Sequence, residues 1–481
     1  MSGFHAPVDD ILTSLRRAAG PGWDAETSGE VIAHFAAFAE GVLAPLDAPG
    51  DAQGCRLEGG RVRMPDGFAG AYRQLAEGGW QGLLTPEAFG GMGLDALSAA
   101  GVSEIFSGAN HSLQMVTSLV PGAVGVLTRF GSPEQQARLI PRLASGELLA
   151  TMALTEPGAG SDLAAIRTRA TPDGDHWRIE GEKIFISGGD QDLSAGILHL
   201  VLARSGGEGV KGLSLFLCLS EWGSISVTRI EGKMGLHASP TCQLAFDGAK
   251  AELIGEEGGG LRAMFAMMNH ARLDVALQGV AHAARAADLA RRYGAERRQG
   301  RGPDGQPVTI DQHADVARMI AECDRLARAG RHLCHLTLAA MKRGDSDFVE
   351  FMTPVCKYAC TEGGIRAADL AIQVMGGYGY LREYGAEQNW RDARICAIYE
   401  GTNGIHARAT ATRGISLNGG AGARSFAAFL TTNGIDAAPW QAEAARLISL
   451  SDPSHQAHEF MELTARLALD AALAHLGNLV G

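Results

Sequence analysis

The spacing of apolar residues divides the chain into a helical, a strand-rich and a second helical stretch. In residues 1–150, apolar side chains such as Ile32 and Phe35 recur with a period of about 3.6, which predicts amphipathic helices. Residues 151–256 instead carry short alternating runs of apolar and polar positions, separated by Gly-rich turns, and this pattern predicts β-strands. The helical period returns at Gly260 and predicts long helices of the kind that pack as a bundle.

These patterns predict a mainly α protein with a central β-barrel or sandwich. We expect Pro45 to end a helix, Gly59–Gly60 to form the turn of a short hairpin, and Gly181–Glu182 to turn the chain between two strands. The last stretch is Ala-rich with Gly breaks, which predicts weak helices. The predicted domains are an N-terminal helical domain over 1–150, a middle β domain over 151–256, a C-terminal helical bundle over 257–417 and a helical extension over 418–481.

The composition narrows the choice of partners. The formal net charge of −12 disfavours a nucleic-acid partner, because nucleic-acid binding requires a basic face. The first residues lack the pattern of a signal sequence, and the most apolar window, Ser112 to Phe130, is interrupted by Pro121. We therefore expect a cytoplasmic protein without a membrane span.

The eight cysteines are scattered, without a CxxC pair, which is typical of reduced thiols in the cytosol. His332, Cys334, His335, Cys356 and Cys360 have spacings that a metal site could use. Small buried thiols on helices explain the same pattern better, so no metal is expected.

Glu400 is the first candidate for chemistry. It follows an apolar run and precedes Gly401 and other residues that break regular structure. A carboxylate held in a dry pocket has a raised pKa, which suits a base that removes a proton from carbon. The alternative is a carboxylate that pairs with Arg391 or Arg394 near a helix end.

Three further stretches could hold a cofactor. The loop Met152–Asp162 has an open Gly-rich backbone, and the strand Lys183–Ser187 places an aromatic and a hydroxyl side chain on one face. The Gly cluster at Gln373–Gly379 follows a predicted helix. An ordinary turn, a core Phe and a helix cap are the plain alternatives. The chain contains neither a GxGxxG fingerprint nor a P-loop.

Together these four stretches resemble the acyl-CoA dehydrogenase family in order and spacing. The motifs are Thr155–Asp162, Lys183–Gly189, Gln373–Gly379 and Arg391–Thr402. The closest resemblance is to the branch that includes 3-methylmercaptopropionyl-CoA dehydrogenase, and it covers residues 5 to about 410. The resemblance implies an N-terminal helical domain, a β domain, a C-terminal four-helix bundle and a shortened C-terminal extension. It also implies FAD as the cofactor.

The resemblance implies a role for each matching residue. Glu400 aligns with the catalytic base. Phe185 stands where many members have Trp, and Ser187 where many have Thr. The implied cofactor-binding residues are Met152, Leu154, Thr155, Gly160, Ser161, Phe185, Ser187, Arg297, Gln373, Gly376, Gly377, Thr402 and Gly404. The implied substrate-binding residues are Ser161, Arg272, Tyr399, Glu400 and Gly401.

The implied function is α,β-desaturation of an acyl-CoA, with hydride transfer to flavin N5 and an electron-transferring flavoprotein as acceptor. The acyl group stays open, and 3-methylmercaptopropionyl, short-chain and medium-chain groups are candidates. Arg297 and Gln373 would reach the FAD of a neighbouring subunit, which implies a homodimer or homotetramer. The alternatives are an acyl-CoA oxidase, a dehydrogenase of carrier-protein-tethered acyl groups, and a non-catalytic flavoprotein that binds nucleic acid.

Overall fold

The computed structural model describes residues 3–477, and of residues 266, 269 and 270 it describes only the backbone. Contacts within the chain group it into two compact units. The helical unit comprises Met1–Ala44, Ala96–Ala109 and Arg272–Gly481, and the barrel unit comprises Pro45–Asp95 and Asn110–Ala271. The limits of the four predicted domains remain a prediction.

The helices confirm the predicted mainly α class. In chain order they are α1 Val8–Ala19, α2 Ala25–Phe38, α3 Asp47–Gln53, α4 Phe68–Glu77, α5 Ala96–Thr117, α6 Val120–Phe130, α7 Pro133–Ala144, α8 Gly260–Glu296, α9 Ala314–Arg343, α10 Ser346–Met375, α11 Ala386–Ala393, α12 Asn403–Ala409, α13 Leu417–Thr432, α14 Ala438–Ile448 and α15 Ala457–Gly477.

The strands form the predicted central β structure. They are β1 Arg56–Glu58, β2 Arg61–Arg63, β3 Leu148–Ala153, β4 Arg169–Asp173, β5 His176–Ser187, β6 Gly196–Arg204, β7 Leu213–Leu219, β8 Ile225–Ile230, β9 Thr241–Ile254, β10 Arg298–Arg301 and β11 Pro307–Thr309. Pairing runs from β6 through β4, β5, β9 and β7 and returns to β6, so these strands close a barrel. Strand β3 adds to β6 and β8 adds to β9. Every residue of β7 is buried, so both faces of this strand are covered.

Two local predictions fail near proline and glycine. Pro45 does not end its helix, because the chain continues through short turns into α3. Gly181–Glu182 does not turn the chain, because β5 runs through it as one strand with irregular register against β9. Gly181 has a φ of 142°, and a Cβ there would lie 2.6 Å from the Thr168 hydroxyl oxygen, so it marks a close approach of strands. The hairpin at Gly59–Gly60 is present as β1–β2.

The helical unit is built on long helices that approach closely at glycines. A Cβ at Gly279 of α8 would lie 2.4 Å from the carbonyl oxygen of Cys360 in α10. A Cβ at Gly364 would lie 2.5 Å from the Gly279 carbonyl oxygen. The two helices therefore cross backbone to backbone at these glycines. Helices α1 and α15 also pack against α9.

The C-terminal extension is more substantial than its sequence predicted. Trp440 of α14 is 1% exposed and stacks with Phe460 of α15 at 5.7 Å between ring centroids. Phe426 of α13 lies 5.3 Å from Phe351 of α10, again between ring centroids. These aromatic contacts anchor the extension to the bundle, and tertiary burial thus overrides the weak local propensity.

The cysteine–histidine set is explained by packing. Cys334 and Cys360 are buried with their sulfurs 3.6 Å apart, and Cys356 hydrogen-bonds with Thr337. The Nδ1 atoms of His332 and His335 both hydrogen-bond with the hydroxyl of Ser14. All eight cysteines are free thiols.

Within residues 3–477, the helical run Ala25–Gln53 is long and apolar enough to cross a membrane, with a mean hydropathy of 1.4. The bent pair Ala96–Thr117 and Val120–Phe130 passes the same criteria when it is taken as one span. Core helices of soluble proteins pass them too, so this observation is weak evidence for a span.

Candidate functional site

Glu400 lies in a strained loop between α11 and α12. Its φ is 52°, and Gly401 follows with a φ of 89°. Left-handed backbone is unfavourable for a residue with a side chain, so surrounding contacts must hold it. Thr402 caps α12 by accepting a hydrogen bond from the Ile405 amide, which ends the loop. The predicted break after Glu400 is therefore present.

The Glu400 carboxylate is set apart from ordinary carboxylates. Its Oε2 atom is buried and has no hydrogen-bond partner among the described residues. Burial raises the pKa of the carboxyl to about 7, against the opposing charges of Arg272 and Lys357. Asp274 raises this pKa further. A group with this pKa can both accept and return a proton near neutral pH.

The alternative pairing for Glu400 is not what the structure shows. Arg391 forms a salt bridge with Glu387, one turn earlier in α11. Arg394 is exposed. The arginines that precede the loop thus leave the carboxylate of Glu400 to its buried surroundings.

A buried lysine that the sequence analysis did not identify forms hydrogen bonds with the loop that contains Glu400. Lys357 of α10 is fully buried, and its Nζ donates to the carbonyl oxygen of Gly401 at 2.9 Å and to Oδ1 of Asn403 at 2.8 Å. On the other side, Nε2 of His406 lies 3.1 Å from the carbonyl oxygen of Glu400. Burial lowers the pKa of His406 to about 3, so its ring is neutral and donates this bond.

Tyr399 connects the loop to a polar network on neighbouring helices. Its hydroxyl donates to Oε1 of Gln278, and Nε2 of Gln278 donates to Asp274 at 3.3 Å. Ser103 of α5 donates to the other oxygen of Asp274. This network places polar groups next to the predicted base. Asp274 and Gln278 lie outside the four sequence motifs, so the sequence did not predict their part in this network.

The barrel unit carries the second group of predicted residues, at the end of β3 and on the loop that follows it. Leu154 is buried, Met152 and Thr155 are half-buried, and Gly160 and Ser161 are exposed. The loop is a tight turn in which the backbones of Glu156 and Ala159 exchange hydrogen bonds of 3.0 Å. The exposed part of the loop therefore offers the backbone of Gly160 and the hydroxyl of Ser161.

A buried ion pair, also missed, fixes this loop to β5. The Nζ of Lys183 donates to the Glu156 carboxylate at 2.8 Å and to the carbonyl oxygen of Leu154 at 2.8 Å. The amide of Ile184 donates to the carbonyl oxygen of Thr155. The loop and the start of the Lys183–Ser187 motif are therefore one rigid piece.

The next residues of that motif break the regular strand alternation. Phe185 has a φ of 58° and lies at a register irregularity of β5. Its ring is 60% exposed, while Ile186 beside it is buried. Ser187 is half-buried. A bulge of this kind redirects a side chain, and here it leaves one face of an aromatic ring open for stacking.

The third group lines a surface groove of the helical unit with a volume of about 480 Å³. Arg297 lies over the ring of Tyr378 at 5.6 Å, and Gly376 and Gly377 form one wall. Gln373 is exposed but is not part of the lining. The structure thus brings Arg297 and the glycines together in one groove and leaves Gln373 outside its lining.

Comparison with known proteins decides the family. Models of the acyl-CoA dehydrogenase N-terminal, middle and C-terminal domains match residues 26–147, 151–249 and 258–415. The chain is 38% identical to 3-methylmercaptopropionyl-CoA dehydrogenase of Ruegeria pomeroyi, over 98% of this chain and 85% of that protein.

The chain belongs to the acyl-CoA dehydrogenase family.

Solved structures agree with this assignment. Butyryl-CoA dehydrogenase from Megasphaera elsdenii is 25% identical, with a TM-score of 0.71 over 79% of this chain and 96% of that one. A structure described for the electron transferring flavoprotein of Acidaminococcus fermentans is 29% identical, with a TM-score of 0.71 and the same coverage. The predicted family, fold and enzyme class are confirmed.

The cofactor of this acyl-CoA dehydrogenase is FAD, and the residues present fit it. An isoalloxazine ring needs a flat apolar contact and nearby polar groups, which the exposed Phe185 ring and half-buried Ser187 offer. A pyrophosphate needs a cation and open backbone, which Arg297 and the Gly376–Gly377 wall offer.

Proposed function

We propose that the protein removes the α-proton and a β-hydride from an acyl-CoA thioester, with Glu400 as the base. The observation that carries this proposal is the buried Oε2 oxygen of Glu400, which has no hydrogen-bond partner among the side chains that the structure describes, on a carboxyl whose pKa is raised to about 7. A carboxylate without donors has its full basicity available for a substrate proton.

The residues around Glu400 define its part in the reaction. The Glu400 amide donates to the thioester carbonyl and stabilises the negative charge that develops as the α-proton leaves. Glu400 accepts that proton, and Lys357 and Arg272 stabilise the ionised form that precedes the transfer. Phe185 and Ser187 would hold the flavin ring of FAD, which would supply the acceptor for the β-hydride. The buried surroundings of the base exclude water.

The acyl group is proposed from the relatives of the chain. We propose a short acyl chain, or one with a heteroatom such as the 3-methylmercaptopropionyl group. The 38% identity to the Ruegeria enzyme supports the latter.

The decisive experiment is anaerobic mixing of the purified yellow protein with acyl-CoA thioesters. The panel contains 3-methylmercaptopropionyl-CoA, butyryl-CoA and octanoyl-CoA, and bleaching of the flavin absorbance is followed. Fast bleaching by at least one thioester is expected. A protein that holds FAD and is bleached by dithionite but by no thioester would overturn the proposal.

We further propose that an electron-transferring flavoprotein reoxidises the enzyme. The likeness to the structure described for such a protein supports this partner. An oxygen electrode separates this proposal from an oxidase, since a dehydrogenase consumes little oxygen during turnover. The free thiols support a cytoplasmic location.

We also propose a homodimer or homotetramer, because the groove at Arg297 and Gly376 is open on the surface of the helical unit and matches the positions implied to serve a neighbour's FAD. Sedimentation of the FAD-loaded protein tests this assembly. A monomer that retains FAD would contradict it.

A further inference from the structure

Lys357 occupies a position where a lysine is rarely found. It lies in the middle of α10, with no exposed surface. A buried ammonium is costly unless it is paired and hydrogen-bonded, so its retention requires strong partners. The FAD-binding and substrate-binding residues assigned from the family do not include it.

Its partners lie on the base loop. Nζ donates to the carbonyl oxygen of Gly401 and to the Asn403 side chain, one and three residues after Glu400. Asn403 is itself fixed to α10, because its Nδ2 donates to the Thr361 hydroxyl at 3.0 Å and to Glu362 at 2.7 Å. The loop is therefore clamped to α10 on the C-terminal side of the base.

This clamp acts where the backbone needs it. Glu400 and Gly401 are consecutive left-handed residues, and Glu400 has a side chain that disfavours this conformation. The bond from Lys357 to the Gly401 carbonyl and the bond from His406 to the Glu400 carbonyl hold the two peptide groups in this arrangement. Without them the loop would relax towards commoner backbone angles, and the carboxylate would move.

We propose that Lys357 is the positioning residue of the base: its ammonium holds the Glu400 loop in the left-handed conformation and supplies positive charge beside the carboxylate. The inference rests on the proposed function of Glu400 and goes beyond it by assigning a second residue to the same step.

The charges around Glu400 and Lys357 determine whether the pKa of Glu400 rises or falls when Lys357 is replaced. Glu400 is faced by Lys357, Arg272 and Asp274. Burial lowers the pKa of Lys357 to about 8, so it stays mostly protonated at neutral pH. The other groups that act on Lys357 are Cys396, Glu362 and Arg272. Loss of the Lys357 charge therefore raises the pKa of Glu400, while Arg272 and Asp274 keep their influence.

The test compares Lys357→Met with wild type in the FAD-loaded protein. We expect kcat to fall about 10- to 100-fold at the pH optimum, because small displacements of a catalytic group have effects of this size. KM should change little. The pH at which kcat falls on the acidic side of its pH profile should rise by about one pH unit, because a neighbouring opposite charge has been removed. Lys342→Met, an exposed lysine on α9, is the control and should behave as wild type.

Infrared spectroscopy gives a readout that does not need turnover. The difference spectrum between each protein and its Glu400→Gln counterpart reports the titration of the Glu400 carboxyl. We expect a higher pKa in Lys357→Met than in wild type. A merely structural role would lower the melting temperature and leave both this titration and the acidic side of the pH profile unmoved, which would overturn the proposal.

Asn403→Ala keeps the inference testable if Lys357→Met does not fold. It removes one acceptor and leaves the ammonium, so we expect a smaller loss of kcat with the acidic side of the pH profile unchanged. A wild-type kcat in Asn403→Ala would contradict the clamp. The proposed function itself is judged on the wild-type protein: if acyl-CoA bleaches its flavin, an unchanged Lys357→Met overturns only the role of Lys357.

Discussion

Glu156 of the barrel unit is buried and Glu400 of the helical unit has a buried carboxylate oxygen, but the pKa values of the two carboxyls are shifted in opposite directions. Each lies in a loop that a buried lysine fixes. Glu156 receives bonds from the Arg167 and Thr168 amides in addition to the lysine. One carboxylate oxygen of Glu400 has no hydrogen-bond partner among the described residues, and its lysine bonds to the loop backbone instead.

The pKa values follow from this difference. Burial acts to raise the pKa of Glu156, but the charge and hydrogen bonds around it prevail and lower it below its ordinary value. At Glu400 burial prevails and raises the pKa to about 7. A carboxylate whose oxygens all accept hydrogen bonds stabilises the fold, whereas one with an oxygen free of donors can accept a proton in a reaction.

The largest effect should come from Glu400→Gln. The amide keeps the size of the side chain but cannot take the α-proton, so turnover should fall by at least about 10²- to 10⁴-fold. Initial rates with an artificial electron acceptor measure it, and FAD content should stay at the wild-type level. Glu350→Gln, an exposed carboxylate on α10, is the matched control. Near-wild-type flavin bleaching in Glu400→Gln would show that another residue is the base.

Next in size is the loss of the barrel-unit ion pair. Lys183→Met leaves the Glu156 carboxylate buried without its counter-charge, and breaking such a pair costs about 3–5 kcal/mol in free energy of unfolding. Arg178→Met, on the same strand as Lys183, removes an exposed ion pair with Asp173 of β4 and should destabilise the protein much less. Thermal melting of the two variants measures the difference. Equal melting temperatures would mean that the buried pair contributes no more than the exposed one.

The smallest effect concerns the pH dependence of stability. Because the folded pKa of Glu400 is raised, its stabilising contribution is present below about pH 4.5 and is lost as pH rises through about 7. At pH 8, Glu400→Gln should therefore have a higher melting temperature than wild type, and its free energy of unfolding should be higher by at most about 3 kcal/mol. The difference should vanish in acid.

Glu156→Gln should show the opposite sign. The folded pKa of Glu156 is lowered, so its contribution is present above its ordinary pKa of 4.5 and is lost as pH falls through the folded value. The variant should melt below wild type at neutral pH and approach it in acid. Two variants with the same sign at pH 8 would contradict the distinction between the glutamates.

Much of the fold followed from local pattern. The stretch 151–256, predicted to be strand-rich, contains strands β4 to β9, and the helical period that returns at Gly260 coincides with the start of α8, because burial on one face imposes a regular period. The failures at Pro45 and Gly181 have a common cause. These residues usually interrupt regular structure, but here tertiary packing accommodates a continuing helical path in one case and a bulged strand in the other.

The sequence by itself determined the family, the element types and the position of Glu400, because motifs and periodicities lie within short stretches of chain. Only the tertiary structure decided that Glu400, and not Glu156, keeps a carboxylate oxygen without a hydrogen-bond partner in the described part of the chain. Lys357 reaches Gly401 across 44 positions, and Lys183 reaches Glu156 across 27. No local sequence pattern predicts either pairing, because the packing of helices and strands around a buried lysine determines which groups it contacts. The same packing sets the desolvation that raises the pKa of Glu400 and the hydrogen bonds that keep Glu156 ionised.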